Sequence, residues 1–453
     1  MSPSILALGA MMLAAPPPDG SLDPRVTALL DAVSEERLTA ILRKLGGFET
    51  RHTLSAADSP TRGIGAAREW ILAEMKGYSP RLQVSFDTHE LPKQGERVTR
   101  DVELRNVMAV LPGKSPRRLY VSGHYDSVAR RPRAGSTPSA SGGFDWSATD
   151  TSAPGVNDDG SGTALTMELA RVFAQSGLEF DSTLVFIALA GEEQGLYGAR
   201  LHAQRAAAEK WTIEAVLNND IVGNERGGQG QVDSVSVRVF SEGPEDSPSR
   251  QLARHIRRQA ARYVPAHAVR LIARYDRFGR GGDHSAFNQK GFAAVRFTES
   301  KENFSRQHTP EDTFEGVSPP YLTRNARVNA AALAVLALAP PAPAVSDERG
   351  RPLLDRGPSG YDARLRWKAS PGAAGYRVFW REAWTPDWEQ QRVVTGAGGD
   401  ATELVLPGVS IDDYVFGVAA VSAEGNESLV SAYVNPRRSE EDVETRPRPG
   451  AAP

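Results

Sequence analysis

Five short polar stretches stand beside apolar runs in this sequence: "GHYDS" with His124 and Asp126, "GVNDDGSG" with Asp158 and Asp159, "AGEEQG" with Glu192 and Glu193, "NNDIVG" with Asp220, and "QHTPEDT" with His308. Two imidazoles and several carboxylates make a hard-to-borderline ligand set that suits zinc. A carboxylate that is not itself a ligand can then accept and return a proton. Each stretch also has an ordinary reading. His124 alone could be a satisfied loop residue, and Asp158 a helix N-cap. The glutamate pair could be a solvated helix start favoured by the dipole. Asp220 could be a turn former, "HTPEDT" a turn shaped by Pro310, and Asp283 and His284 in "GGDHSAF" a cap or a support for ligands. The ordinary readings would have to hold at all five stretches together. Adjacent side chains on a helix diverge by about 100°, so Glu192 and Glu193 cannot share one surface task.

An alternation of strands and helices would position these residues. "RLYVSGHYD" reads as a strand with a turn at its end, and "GSGTALTMELARVFAQSG" as a helix with glycine at its mouth. "STLVFIALAGEE" reads as a strand, followed by a helix from about Gly195 to Lys210. "EAVLNNDIVG" is a strand, Arg250 to Tyr263 a helix, "FAAVRFTES" a strand, and Leu322 to Ala339 a closing helix. Upstream, the periodicity predicts helices over Arg25 to Lys44 and Gly63 to Lys76, then strand-like runs between Leu82 and Leu111. This rhythm argues for an α/β fold with a mainly parallel, mixed sheet flanked by helices. In open sheets of this kind, ligands bind beyond the carboxyl ends of the strands, where the polar stretches fall.

The 453 residues leave room for two or three domains of roughly 150 residues each. A net charge of -3 implies no nucleic-acid or anionic-membrane partner. With no cysteine, disulfides and thiolate ligands are excluded. Within residues 1–20, the apolar run Ile5 to Ala15 has the length of a signal-peptide core and is too short to span a bilayer. It lacks a basic n-region, yet it leads us to expect a leader and a secreted or periplasmic protein. No other segment is long and apolar enough for an integral membrane span. Residues 21–339 form the expected α/β domain. It contains a low-complexity insert at 129–152, where Phe144 and Trp146 are the large apolar residues; such inserts serve as lids, binding loops or disordered segments. A stiff linker at 340–346 leads to short alternating strands over 347–436, the pattern of an all-β sandwich. Residues 437–453 read as a disordered tail. The pattern specifies no oligomeric state.

Taken in order, HYDS, NDDGSG, GEEQGLYGA, NND and HTPEDT resemble the di-zinc aminopeptidase family of peptidase clan MH, which includes secreted bacterial leucine aminopeptidases, aminopeptidase Y and glutamate carboxypeptidases. The resemblance runs from about Leu38 to Ala339. It implies a zinc-dependent exopeptidase, an aminopeptidase acting on peptide or protein N-termini, with two zinc ions per chain. Motif by motif, it implies His124 and Asp220 on one ion and Glu193 and His308 on the other, with Asp158 bridging them. It further implies that Asp126 orients His124, that Glu192 is the general base, and that the Asp158–Asp159 peptide is cis. The chain departs from the family in three places. Gln307 stands where an aromatic residue is common, the segment between His124 and Asp158 is long, and Gly282-Asp283-His284 replaces an SDH motif. The substrate-binding residues are therefore left unassigned. A dipeptidase or carboxypeptidase would need a cation for the substrate's α-carboxylate, for which Arg274, Arg277 and Arg280 are candidates. Glutaminyl cyclases share HYDS- and GEE-like motifs but differ at the bridging turn. An inactive binding or adhesion protein would be expected to have lost ligands. The C-terminal run resembles a fibronectin type III domain, with Trp367, Tyr376, Leu404 and Tyr414 at core positions.

Overall fold

The computed structural model describes residues 21–132, 135, 144–395 and 402–434. The expected leader at 1–20, the tail at 437–453 and part of the 129–152 insert lie outside these residues. The described residues divide after Ala339 into two compact units.

The first unit opens with α1 (Pro24–Asp31), α2 (Glu35–Gly46) and α3 (Gly63–Lys76), then an antiparallel pair, β1 (Gln83–Leu91) and β2 (Val102–Leu111). Next come β3 (Ser115–His124), α4 (Gly160–Gln175), β4 (Ser182–Leu189), α5 (Glu192–Gly195), α6 (Tyr197–Ala208) and β5 (Ile213–Asn219). The unit closes with β6 (Ser236–Ser241), α7 (Pro248–Tyr263), β7 (Ala268–Ile272), α8 (His284–Asn288), β8 (Ala294–Glu299) and α9 (Pro319–Ala337). Its strands form one sheet in the order β1-β2-β4-β3-β5-β8-β6-β7. The central run β4-β3-β5-β8 is parallel, as is β6 with β7, while β1–β2, β2–β4 and β8–β6 are antiparallel. Parallel strands covered on both faces need near-continuous apolar sequence, and "STLVFIAL" of β4 is buried along nearly its whole length. Tyr120, Val185, Ile187 and Val216 pack with Ala199 and Ala203 of α6 and Phe287 of α8. Helices α4 and α9 pack against β3 and β4 on the side away from that cluster.

The elements differ from the sequence reading where local capping interrupts a periodic pattern. The helix expected over Arg25 to Lys44 is two helices. Ser34 stops the first pattern because its hydroxyl accepts from Arg37 N at 3.2 Å, starting α2, while its own amide donates to Glu168 of α4 at 2.8 Å. The helix expected from Gly195 breaks at Leu196, whose φ is 62°. The closing helix starts earlier than expected, at Pro319, with proline in its first turn, where no amide partner is needed. Strands β6 and β7 were not read from the sequence at all.

The second unit holds β9 (Leu354–Arg356), β10 (Asp362–Arg366), β11 (Gly375–Glu382), β12 (Gln390–Thr395), β13 (Glu403–Ser410), β14 (Tyr414–Val421) and β15 (Ser431–Ala432). Two antiparallel sheets, β13-β10-β9 and β12-β11-β14-β15, contribute to one core containing Leu365, Trp367, Tyr376, Leu406 and Phe416. Trp367 and Tyr376 are buried with ring centroids 5.3 Å apart, and Leu404 and Tyr414 are half-buried against the same core. No helix among the described residues is long and apolar enough to cross a membrane.

Candidate metal centre

Parallel pairing sets the register that gathers the polar stretches. His124 of β3 lies opposite Leu189 of β4, and Ser122 lies opposite Asn218 of β5. His124, the Glu192–Glu193 turn and Asp220 therefore leave three adjacent strand ends. His308 arrives from the loop before α9 with φ 58°, and its carbonyl accepts from Arg130 N at 2.9 Å. The two imidazoles flank one carboxylate. Asp158 Oδ1 is 3.4 Å from His124 Nε2, and Asp158 Oδ2 is 3.0 Å from His308 Nε2. Each imidazole also has a carboxylate of its own: Asp220 Oδ1 is 3.8 Å from His124 Nε2, and Glu193 Oε1 is 3.3 Å from His308 Nε2. The five side chains thus form two half sites that share Asp158.

Hydrogen bonds separate the roles of the adjacent aspartates. Asp159 Oδ1 accepts from Gly162 N at 2.8 Å and Ile221 N at 3.2 Å, and Oδ2 accepts from His124 N at 3.0 Å. Asp159 is therefore the N-cap of α4, a role the sequence alone also allows for Asp158. His124, Asp159 and Asp220 also have ligand atoms within 4.8 Å of one another, but the Asp159 oxygens already accept three amide bonds. Asp158 instead sets one oxygen toward each imidazole. The peptide between the two aspartates is cis.

The glutamate turn is held from behind. Asp126 Oδ1 accepts from Glu192 N at 3.2 Å and Oδ2 from Glu193 N at 3.1 Å, while its backbone carbonyl lies 3.1 Å from His124 Nδ1. The resemblance implies that Asp126 orients His124; its Oδ1 lies 3.6 Å from the imidazole, and the same carboxylate also accepts the two amides of the turn. Asn106 of β2 braces the same turn, accepting from Ala190 N at 2.9 Å and donating to Gly198 O at 3.2 Å. Gly191 enters the turn at φ 70°, and a Cβ there would meet Leu104 Cδ1 at 3.0 Å. Glu193 ends buried and Glu192 half-buried.

Charge explains how these groups titrate. Burial would lower His124, but Asp126, Asp158 and Asp220 hold it well above the usual imidazole range. Burial likewise opposes His308, which Glu193 and Asp158 raise to about 9. Burial would raise Asp158, yet contact with His124 and His308 keeps it well below the usual carboxylate range. Glu192 goes the other way: burial, then the Asp220, Glu193 and Asp283 carboxylates, outweigh His124 and hold it well above that range.

Several supporting residues were not assigned from the sequence. Asp312, inside the quoted "QHTPEDT", accepts from Asn157 N at 3.1 Å and Asp158 N at 2.9 Å. Arg296 of β8 pairs with Asp220 at 3.0 Å and Asp276 at 3.2 Å. Arg51 donates to Tyr125 O at 2.6 Å and Gly155 O at 2.8 Å, and Ser127 Oγ donates to Ala153 O at 2.7 Å. An arginine inside the "FAAVRFTES" strand was the one visible signal for Arg296, since a lone buried charge demands a partner. Asp283 lies buried near the site with neither carboxylate oxygen hydrogen-bonded among the described residues, and His284 turns away to Tyr275 O at 2.6 Å.

A cavity of about 760 Å³ opens above the half sites, lined by Asp158, Glu192, Glu193, Asp220 and His308 and, around them, by arginines and aromatic rings. Arg277 and Arg280 line it, whereas Arg274 does not and lies over the Phe278 ring. The donor set fits cations. Glu193 Oε1 is buried and makes no hydrogen bond among the described residues, and like-charged carboxylates converge on two imidazoles.

An open mixed sheet with paired histidine–carboxylate sites beyond its parallel strand ends is the architecture of a metal-dependent hydrolase. The model of peptidase family M28 matches residues 106–333, and the chain belongs to that family. A protein of Pyricularia oryzae named "Probable zinc metalloprotease" is 38% identical over 447 residues, covering 90% of this chain and 84% of its own. The Legionella pneumophila LapA aminopeptidase superposes with a TM-score of 0.54 at 18% identity, covering 71% of this chain and 76% of its own. A Porphyromonas gingivalis glutaminyl cyclase superposes with a TM-score of 0.51 at 16% identity, over 67% and 98%. At such identities the likeness is one of fold.

Proposed function

We propose that this peptidase is a zinc-dependent exopeptidase, an aminopeptidase that hydrolyses the N-terminal bond of peptides. It would hold two zinc ions per chain, one by His124, Asp158 and Asp220 and the other by Asp158, Glu193 and His308. The observation that carries this reading is a single carboxylate, Asp158, set between two imidazoles that each have a second carboxylate. The names given to the Pyricularia and Legionella proteins support it.

Zinc bound at such a site supplies Lewis acidity that activates water and polarises a carbonyl. Glu192, the glutamate left outside both half sites, takes the proton of the attacking water on its carboxylate and returns it to the leaving amine. Its raised proton affinity suits the second transfer as well as the first. Asp126 holds Glu192 and Glu193 through adjacent amides, so the base and the ligand keep a fixed offset. The remaining acidic surface of the cavity suits a free ammonium group.

Metal analysis of the purified chain is expected to give two zinc ions, and none bound after zinc reconstitution would leave an inactive binding protein as the reading. Aminoacyl-p-nitroanilides should be cleaved and their N-blocked counterparts spared; cleavage of blocked substrates would overturn the aminopeptidase assignment. We read residues 1–20 as a leader for export to the periplasm or outside the cell, which fractionation of the producing cells tests. We read 347–436 as an accessory fibronectin type III-like domain, consistent with its two antiparallel sheets.

A further inference from the structure

The cavity carries positive charge that the proposed chemistry does not use. Arg97, Arg130, Arg277 and Arg280 all line it. Arg277 is neutralised by Glu302 at 2.6 Å and Asp276 at 3.1 Å. Arg97, Arg130 and Arg280 make no ion pair among the described residues. Each lies against a ring instead: Arg97 over Trp146 at 4.8 Å, Arg130 over Phe144 at 5.3 Å and Arg280 over Phe304 at 5.9 Å. A guanidinium over a ring can still offer N–H donors to a planar anion, although Arg97 Nη1 already donates to Glu193 O at 3.4 Å. Arg130 Nε is buried without a hydrogen-bond partner among the described residues.

Arg280 is held in a particular way. Gln307 Oε1 accepts from Arg280 Nη1 at 3.1 Å, and Gln307 Nε2 donates to Glu302 at 3.1 Å. A neutral amide therefore links Arg280 to Glu302, a carboxylate already paired with Arg277. Burial, with the charge of Arg277 added, presses against the Arg280 cation, and an arriving anion would relieve that pressure.

We propose that the cleft selects peptides bearing a carboxylate, which Arg280 and Arg130 grip edge-on, with Gln307 as the positioning residue for Arg280. This rests on the exopeptidase reading and names its substrate class. The carboxylate has two possible sources with the same chemistry: the free C-terminus of a dipeptide, or an acidic side chain.

Four substrates separate the sources: Ala-Ala, Ala-Ala-NH2, Glu-Ala-NH2 and Gln-Ala-NH2, assayed with the zinc-loaded full chain. In at least one pair the carboxylate member should lead its neutral partner by roughly tenfold or more in kcat/KM, mainly through KM. An advantage of Ala-Ala over its amide assigns the C-terminus, and an advantage of Glu over Gln assigns the side chain. The ratio should fall to within about threefold of one in Arg280→Gln. It should fall likewise in Gln307→Glu, which gives Arg280 an internal carboxylate. Ratios near one in the wild type, or ratios unchanged in Arg280→Gln, would show that the arginines only balance the acidic floor and would overturn the proposal. Calorimetric binding of the same four peptides to zinc-loaded Glu192→Gln reads the same ratios without catalysis. A preference in binding with no hydrolysis by the wild type would sink the peptidase reading and leave the carboxylate preference standing.

Discussion

The two units bury different kinds of surface. The first sinks imidazoles, carboxylates and guanidiniums beyond the ends of its parallel strands, and both groups that could hold a metal among the described residues lie there. The second encloses rings and aliphatic chains around Trp367, Tyr376 and Phe416 and pairs charges such as Arg356–Asp412 and Arg364–Glu403 on its outside. Buried polar groups are tolerated only with partners, so each buried group of the first unit depends on a named neighbour. Apolar burial is non-directional. A substitution among these buried polar groups of the first unit should therefore register as lost chemistry, and one in the apolar core of the second as lost stability alone.

Five experiments bear on that contrast. Asp158→Ala removes the shared carboxylate and should cost both half sites, so zinc content and peptidase activity should fall to background together. Retention of one full zinc would show that the half sites are independent. Glu192→Gln should keep zinc while kcat falls by roughly 10²-fold or more; Glu193→Ala should instead lose metal, and equal metal loss in both would erase the division between them. The proposed base Glu192 would act as a carboxylate and is held above its ordinary range, so wild-type kcat/KM should rise with pH along an acid limb that the Gln variant lacks. Asp312→Asn leaves every ligand in place but disturbs the acceptor of the Asn157 and Asp158 amides. Chelator competition should show metal affinity reduced by roughly 10–100-fold. At the other extreme, Leu406→Ala in the second unit should destabilise that unit by about 2–5 kcal/mol in urea melts and leave hydrolysis of small chromogenic substrates unchanged.

What the sequence made legible follows the same line. That His124, Glu193 and Asp220 would lie at or just beyond the ends of apolar strands was legible because strand periodicity is local. The α/β alternation was readable for the same reason, apart from β6 and β7, whose "SVRVFS" and "AVRLI" runs are short and carry arginines. The choice between Asp158 and Asp159 was not local. It depends on His124 N, Gly162 N and Ile221 N converging on one carboxylate. Asp312 reaches Asp158 across 154 positions of chain, and Asp126 reaches Glu193 across 67; no spacing rule signals either contact. Gln307 was visible only as a departure from a family pattern, and its meaning comes from Arg280 and Glu302, which fold beside it.

The bonds from Arg51 to Tyr125 and Gly155, with the bond from Ser127 to Ala153, close the chain into a ring at the base of the insert. Loop length enters the free energy only logarithmically, at about 0.6 kcal/mol per doubling. A segment fastened at its root can thus be lengthened, shortened or exchanged while His124 and Asp158 keep their spacing. Arg130, near the start of the insert, also bonds the His308 carbonyl, so changes to the insert that spare Arg130 should leave the floor of the cleft in place.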